Sequence, residues 1–193
     1  MTEGHFDTKR ASKLDSEGRI KELRPYELLK DVAGVTRGMI CIDFGSGTGT
    51  FTLPMARCVA DQGRVYAVDD SAEMLKHIQT KNPPSNIILV HRDVGQTGLD
   101  NQIADLCLLA FILHEVGRPD LLMSEAFRLL KPEGKVVVVE WEADLESPGP
   151  PRKRRLTREQ IEQLFKQVGL SLAVYMAWSI NHYVAIGNKM KTS

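Results

Sequence analysis

The sequence predicts an α/β fold built on a mostly parallel sheet. Strand-like and helix-like segments alternate from residue 39 to residue 141. The apolar run 39–44 ends in Asp43 and Phe44 and passes at once into a turn with glycines at 45, 47 and 49. The run Lys135-Val-Val-Val-Val-Glu-Trp141 is continuously β-branched, as strands buried on both faces are.

The elements follow in order. Residues 1–17 are polar. Residues 19–33 read as helical; Pro25 starts a helix at Tyr26, with Leu28, Leu29 and Val32 on its apolar side. Gly34 and Gly38 frame the entry to the first strand, 39–44, and a helix follows over about 49–60. Arg64–Asp69 is the second strand. Ser71 caps a helix carrying Met74, Leu75 and Ile78 on one face. Pro83-Pro84 ends that helix. Ile87–Val90 is the third strand, ending near Asp93, and Ala104–Phe111 is the fourth. Pro119 opens a helix with Leu121, Leu122, Ala126, Leu129 and Leu130. Lys131–Gly134 is a turn into the fifth strand, 135–141. Thr157 and Gln160 form a capping box for a helix over 158–168, which Gly169 stops. Ser171–Ala177 and Asn181–Gly187 close the chain as an antiparallel pair.

Bulk properties narrow the function. At 193 residues the chain is most simply one globular unit. We divide it into an N-terminal helical cap segment, 1–38, and a main domain, 39–193. Lys plus Arg and Asp plus Glu both number 25, so no net field favours nucleic acid or a membrane surface. Cys41, Cys58 and Cys107 lie in apolar surroundings without metal-ligand spacing, so no metal is expected. No signal segment or 18-residue apolar run occurs, which predicts a soluble cytoplasmic protein.

The glycine turn marks a ligand site, because a strand running into such a turn and a helix brings backbone close to a ligand. The spacing departs from the dinucleotide fingerprint G-x-G-x-x-G: the third glycine is Gly49, and Thr50 stands where the fingerprint has glycine. Asp43, just before the turn, repels a pyrophosphate and attracts a cationic amino acid moiety. Asp69 ends the second strand 20 residues after Gly49 and is suited to both ribose hydroxyls. Asp93 follows the third strand. Asp43, Asp69 and Asp93 therefore share the strand edge at which open α/β sheets bind ligands.

In this order the motifs resemble the class I S-adenosylmethionine-dependent methyltransferases, in particular the small-molecule group of ubiquinone/menaquinone-biosynthesis C-methyltransferases. The resemblance runs from about 39 to 141 and more loosely to 188. Leu129-Leu-Lys-Pro-Glu-Gly-Lys-Val136 resembles the motif before the fifth strand, with Glu133 in place of the commoner glycine. Phe165 and Val168-Gly169-Leu170 fit the helix before the sixth strand. The resemblance implies a Rossmann-like seven-stranded sheet with a C-terminal antiparallel hairpin and helices on both faces. It implies S-adenosylmethionine as cofactor, S-adenosylhomocysteine as product and a small-molecule methyl acceptor.

It also implies roles. Asp43, Gly45, Ser46, Gly47, Thr48 and Gly49 form the cofactor turn. Asp69, with Asp70 beside it, meets the ribose, and Met74 packs on the adenine. Asp93 and Val94 read the adenine edge. Ala110 and Phe111 flank the transfer region, where His114 and Glu115 are the candidate base, orienter or substrate ligand. No Asp/Asn-Pro-Pro-aromatic motif follows the fourth strand; Asn82-Pro-Pro-Ser85 precedes the third and is a loop. Glu140, Trp141, His182, Tyr183, His5 and Phe6 are further candidates for the acceptor side.

Other readings stay open. A nicotinamide-dependent oxidoreductase shares the glycine turn and Asp69 but leaves Asp43 and Asp93 unexplained. Tyr26 and Lys30 have reductase spacing but precede the nucleotide strand. A non-catalytic adenosylmethionine-binding module is a third reading. The basic run Arg152–Arg155 suits a phosphate or an anionic substrate, and alone would support an RNA substrate.

Overall fold

The computed structural model describes residues 12–146 and 149–190. The chain forms a seven-stranded sheet in the order β3-β2-β1-β4-β5-β7-β6. The strands are β1 Ile40–Phe44, β2 Arg64–Asp69, β3 Ile87–His91, β4 Ala104–Ala110, β5 Leu130–Trp141, β6 Leu170–Ala177 and β7 His182–Lys189. The first five pair in parallel, and β7 pairs antiparallel with both β5 and β6. The strand order reverses between β1 and β4, and such switch points open a crevice at the carboxyl ends of the strands.

Alternate strand residues enter two cores, as the period of two requires. Ile42, Phe44, Cys107, Leu109, Val136 and Val138 pack with helices Pro119–Leu129 and Arg158–Val168. Cys41, Leu106, Leu108, Val137 and Val139 pack on the other side with helix Thr52–Val59 and the N-terminal residues Leu23, Leu28 and Leu29. Ala67 on β2 meets Leu75 and Ile78 of helix Ala72–Thr80. The helices thus cover both faces. We label α1 Glu17–Leu23, α2 Thr52–Val59, α3 Ala72–Thr80, α4 Pro119–Leu129 and α5 Arg158–Val168.

Capping follows the local chemistry. Ser71 Oγ accepts the Met74 N–H at 3.3 Å, and Thr157 and Gln160 form the reciprocal box at the start of α5. The helix expected over 19–33 is broken: α1 ends at Leu23, Arg24 turns left-handed at φ 43°, and Pro25–Glu27 leads into a π-type turn, Leu28–Val32. The residue before a proline is disfavoured in the helical region, which places the break at Arg24. The helix expected from 49 begins only at Thr52.

The turn expected at Lys131–Gly134 lies inside β5 as a bulge. Ala104 pairs with Leu130, and Leu106 next pairs with Lys135. Asp105 faces the bulge and accepts from the Lys131 ammonium at 2.8 Å and the Ile40 N–H at 2.7 Å. Glu133 sits at φ 65°, a conformation in which glycine is the ordinary residue.

Cys41 and Cys107 are buried, Cys58 is half-buried, and all three are free thiols. Burial pushes the Cys41 and Cys107 thiols up. Among the described residues no helix is long and apolar enough to cross a membrane, and no cluster of His, Cys, Asp and Glu has metal-holding geometry.

Candidate functional site

A cleft of about 780 Å³ opens at the switch point, bordered by the ends of β1, β2 and β4 and the loop after β3. The chain leaves β1 with Gly45 at φ 64° and Gly47 at φ 52°, positive values that a side chain resists. A Cβ at Gly45 would lie 2.7 Å from Ile112 Cδ1, so this turn admits no side chain without displacing a cleft wall.

Asp69 ties the turn to β2. Its Oδ2 accepts the Gly47 N–H at 2.7 Å and its Oδ1 accepts the Ser71 N–H at 2.9 Å. One carboxylate thus fastens the glycine turn to the start of α3, and it borders the cleft. Asp43 is buried at the floor, where its Oδ2 accepts from Thr52 Oγ1 at 2.6 Å. Burial pushes its carboxyl up to about 7; the nearby Asp69 charge adds to the rise and the Thr52 bond opposes it. Asp93 is exposed, and its Oδ1 accepts the Gly95 N–H at 2.8 Å. Asp70, Met74, Val94 and Ala110 also border the cleft.

Ser46 and Thr48 complete the turn. The Ser46 hydroxyl is buried on the cleft wall without a hydrogen-bond partner among the described residues. A buried hydroxyl ordinarily has a partner, and a polar ligand here would supply one. Thr48 Oγ1 donates to Asp15 at 2.7 Å. Gly49 does not line the cleft: its N–H donates to the Ser46 carbonyl at 2.9 Å, and its α-carbon packs near Ile78.

Phe111 turns left-handed at φ 59° directly after β4, held by its N–H donating to the Val139 carbonyl at 2.8 Å. A bulky residue in this region costs about 1–3 kcal/mol, and such strain concentrates at ligand sites. The turn presents the ring to the cleft, among Phe51 at 6.5 Å, Trp141 at 6.0 Å and His182 at 5.1 Å between centroids. Burial lowers His182 to about 4, with the Arg19 and Arg155 charges acting in the same sense and Glu22 opposing. Its imidazole is therefore neutral near pH 7. His182, Trp141 and Glu140 stand behind the cleft rather than on its wall.

His114 also lies off the cleft. Its Nδ1 meets Glu140 Oε2 at 2.8 Å and its N–H donates to Glu140 Oε1 at 3.3 Å, with Glu140 fully buried. Its Nε2 lies 3.9 Å from Glu115 Oε1. A carboxylate accepts from Nδ1–H, which orients the ring with Nε2 toward Glu115. Glu115 itself borders the cleft. The three side chains form a line from the buried interior to the cleft, and only Glu115 reaches the cleft wall.

The N-terminal segment supplies residues that sequence reasoning missed. Arg19 borders the cleft with its guanidinium 5.1 Å from the Phe111 centroid, and donates to the Leu14 carbonyl at 3.2 Å. Asp15 receives Thr48, His77 at 2.8 Å and Lys81 at 2.7 Å, pinning the segment over the glycine turn. Nothing in the polar, aperiodic stretch around Asp15 marks these contacts in advance. His5 and Phe6 lie outside the described residues.

The family model described as a methyltransferase domain matches residues 42–138. The chain is 31% identical over 115 residues to ubiquinone/menaquinone biosynthesis C-methyltransferase UbiE of Idiomarina loihiensis, covering 58% of this chain and 46% of that protein. It is 25% identical over 169 residues to the protein of the same name from Yersinia pestis bv. Antiqua, covering 75% of this chain and 67% of the other. The chain thus spans about half the length of the first relative. In fold it is similar to the crystal structure of a SAM dependent methyltransferase from Aquifex aeolicus, with a TM-score of 0.86 and 22% identity over 95% of this chain and 98% of that one.

Proposed function

Because the chain belongs to the methyltransferase-domain family, we propose that it transfers a methyl group from S-adenosylmethionine to a small-molecule acceptor. The observation that carries this reading is the set of three carboxylates, Asp43, Asp69 and Asp93, at the ends of β1, β2 and β3 around one cleft. The partnerless Ser46 hydroxyl and the side-chain-free Gly45 turn fit a polar ligand pressed against backbone. When bound, the cofactor supplies a sulfonium methyl, which the acceptor's nucleophilic atom takes in line as the carbon–sulfur pair returns to sulfur, leaving S-adenosylhomocysteine.

The chain's residues then have distinct tasks. Asp69, at the end of β2 on the cleft, accepts from the ribose hydroxyls. Met74 packs against the adenine, and Asp93 and Val94 read its edge. Asp43 faces the cationic amino acid end, with Arg19 available to its carboxylate. Glu115 stands where an acceptor's proton would leave, and His114, oriented by Glu140, positions it. Much of the acceleration comes from holding acceptor and methyl in line, which is worth up to about 7–11 kcal/mol for well-oriented reactants. A cytoplasmic setting accords with the free thiols Cys41, Cys58 and Cys107.

Calorimetric titration of the protein with S-adenosylmethionine, S-adenosylhomocysteine, NAD and NADP tests the reading. Micromolar binding of the first two and none of the nicotinamides is expected. The Gly47→Val variant should bind neither, since a β-branched side chain at φ 52° is strained and the turn must move. Nicotinamide binding would replace the reading with an oxidoreductase, and the absence of any binding would overturn it.

Asp43 makes the affinity pH-dependent. Burial raises its pKa from the ordinary 3.8 to about 7, so the unliganded fold binds a proton that the unfolded chain has lost. Stability of the unliganded protein therefore falls as pH rises from about 4 to about 7. A cationic ligand favours the ionised form, so its affinity rises with pH across the same window. Below pH 7 cofactor binding should weaken by up to roughly tenfold per pH unit. Asp43→Asn should flatten that slope; an unchanged slope would assign the dependence to another group.

A further inference from the structure

We propose that the acceptor carries an anionic group, a carboxylate or a phosphate, which binds between Lys153 and Arg154 in a groove adjoining the cofactor cleft. The inference rests on the methyl-transfer reading above and narrows its substrate class.

The groove has a volume of about 560 Å³ and lies between the loop after β4, the turn Arg152–Arg154 and α5. Leu113, Leu156 and Leu164 contribute apolar surface. Glu115, Val116 and Gly117 line both this groove and the cofactor cleft, so a ligand in one reaches the boundary of the other.

The basic run divides into two pairs. Arg155 is buried and donates to the carbonyls of Pro150, Glu142 and Leu145, each at 3.0 Å. Arg152 donates to the Asp144 carbonyl at 2.9 Å. These two anchor the loop after β5. Lys153 and Arg154 lie between them, exposed, on the groove wall, and among the described residues neither has a carboxylate within salt-bridge distance. Both cations line the same groove, where an anion would neutralise them.

The facing helix is arranged to match. Gln160, Gln163 and Gln167 turn one face of α5 to the groove, while the acids Glu159 and Glu162 of the same helix are not on it. Amides offer donors without opposing an anion. Among the described residues Glu115 is the one carboxylate on the groove wall, and it also borders the cleft. The groove thus carries Lys153 and Arg154 away from the cleft lining and Glu115 on the boundary with it. An acceptor with an anionic group, an apolar body and a nucleophilic atom enters in one sense only. Its anion meets Lys153 and Arg154, and its nucleophile comes to Glu115.

The test uses the full chain, methyl-labelled S-adenosylmethionine and a small-molecule cell extract, with labelled products separated on an anion exchanger. The expected product is retained, and phosphatase treatment distinguishes a phosphate, whose retention changes, from a carboxylate, whose retention does not. With that product's precursor purified, Lys153→Ala/Arg154→Ala should raise KM roughly tenfold or more with kcat nearly unchanged. Calorimetric affinity for S-adenosylmethionine should be unaltered in this variant. An unretained labelled product, or a KM that the double substitution leaves unchanged, would overturn this inference and leave methyl transfer standing. Weakened cofactor binding would also overturn it, by moving both cations to the cofactor. No labelled product despite intact cofactor binding would overturn the catalytic reading and this inference with it.

Discussion

Asp69→Ala should weaken S-adenosylmethionine binding by roughly 100- to 1,000-fold and leave the chain folded. The carboxylate has two jobs in one place. It accepts the Gly47 N–H at 2.7 Å and the Ser71 N–H at 2.9 Å, and so holds the glycine turn against the start of α3. In the proposed complex it also accepts from the ribose. Hydrogen bonds to a charged group contribute about 1.5–3 kcal/mol each, so losing two to the ligand accounts for the expected weakening. The loosened turn adds to it. The fold survives because Asp69 ends β2 at the cleft, outside the apolar clusters. Calorimetry gives the affinity, and circular dichroism with chemical denaturation gives the fold. Asp69→Asn should fall between the two, because its amide has one oxygen where the carboxylate has two. Wild-type affinity in the alanine variant would remove Asp69 from the ligand site and leave it as a structural tie.

Glu140→Ala should produce the largest loss of stability, roughly 3–5 kcal/mol. Glu140 is fully buried and accepts from the His114 N–H, His114 Nδ1 and its neighbour Trp141's N–H. Alanine leaves these donors inside the protein without an acceptor, each costing about 1–3 kcal/mol. Glu140→Gln keeps an amide oxygen opposite His114 Nδ1 and should cost much less. The glutamine variant also separates structure from chemistry. If Glu140 sets the His114 tautomer that faces Glu115, Glu140→Gln lowers kcat while cofactor affinity stays the same. If its turnover equals wild type, the line Glu140–His114–Glu115 is structural only. Urea denaturation and steady-state kinetics measured on the same samples decide between these outcomes.

Glu140 also shows where local reading stops. The sequence places it at the end of a strand on the ligand edge, and it is there. Its partner, His114, is 26 residues away, and the pairing depends on how the loop after β4 folds back over β5. His114 and Glu115 are adjacent in sequence, so proximity makes them equal candidates. In the structure the loop turns one toward Glu140 and the other toward the cleft. The Arg152–Arg155 run is similar: of four consecutive cations, Arg152 and Arg155 anchor a loop through backbone carbonyls while Lys153 and Arg154 stand exposed on a groove wall.

Elements legible in the sequence are those whose cause is local. The alternation of strands and helices, the glycine turn, the Ser71 and Thr157 caps and the strand-end carboxylates each follow from residues a few positions apart. Hydrophobic period, positive φ and capping chemistry act at that range. The seven-strand order came from the family resemblance. Two boundaries moved for reasons of packing and backbone. The bulge at Lys131–Gly134 persists because β4 and β5 pair on both sides of it, and the helix expected over 19–33 breaks at Arg24 because Pro25 follows.

By itself, then, the sequence determined the α/β class, the position of the ligand turn and the acidic residues around it. Tertiary structure alone decided that Arg19 and Asp15 close over that turn, that His114 faces Glu140 while Glu115 faces the cleft, and that Lys153 and Arg154 share a groove wall with Gln163 and Gln167. The physical reason is range. Backbone preference and periodicity are set by neighbours in the chain, whereas burial, charge pairing and cavity shape depend on which distant segments the sheet brings to the same edge.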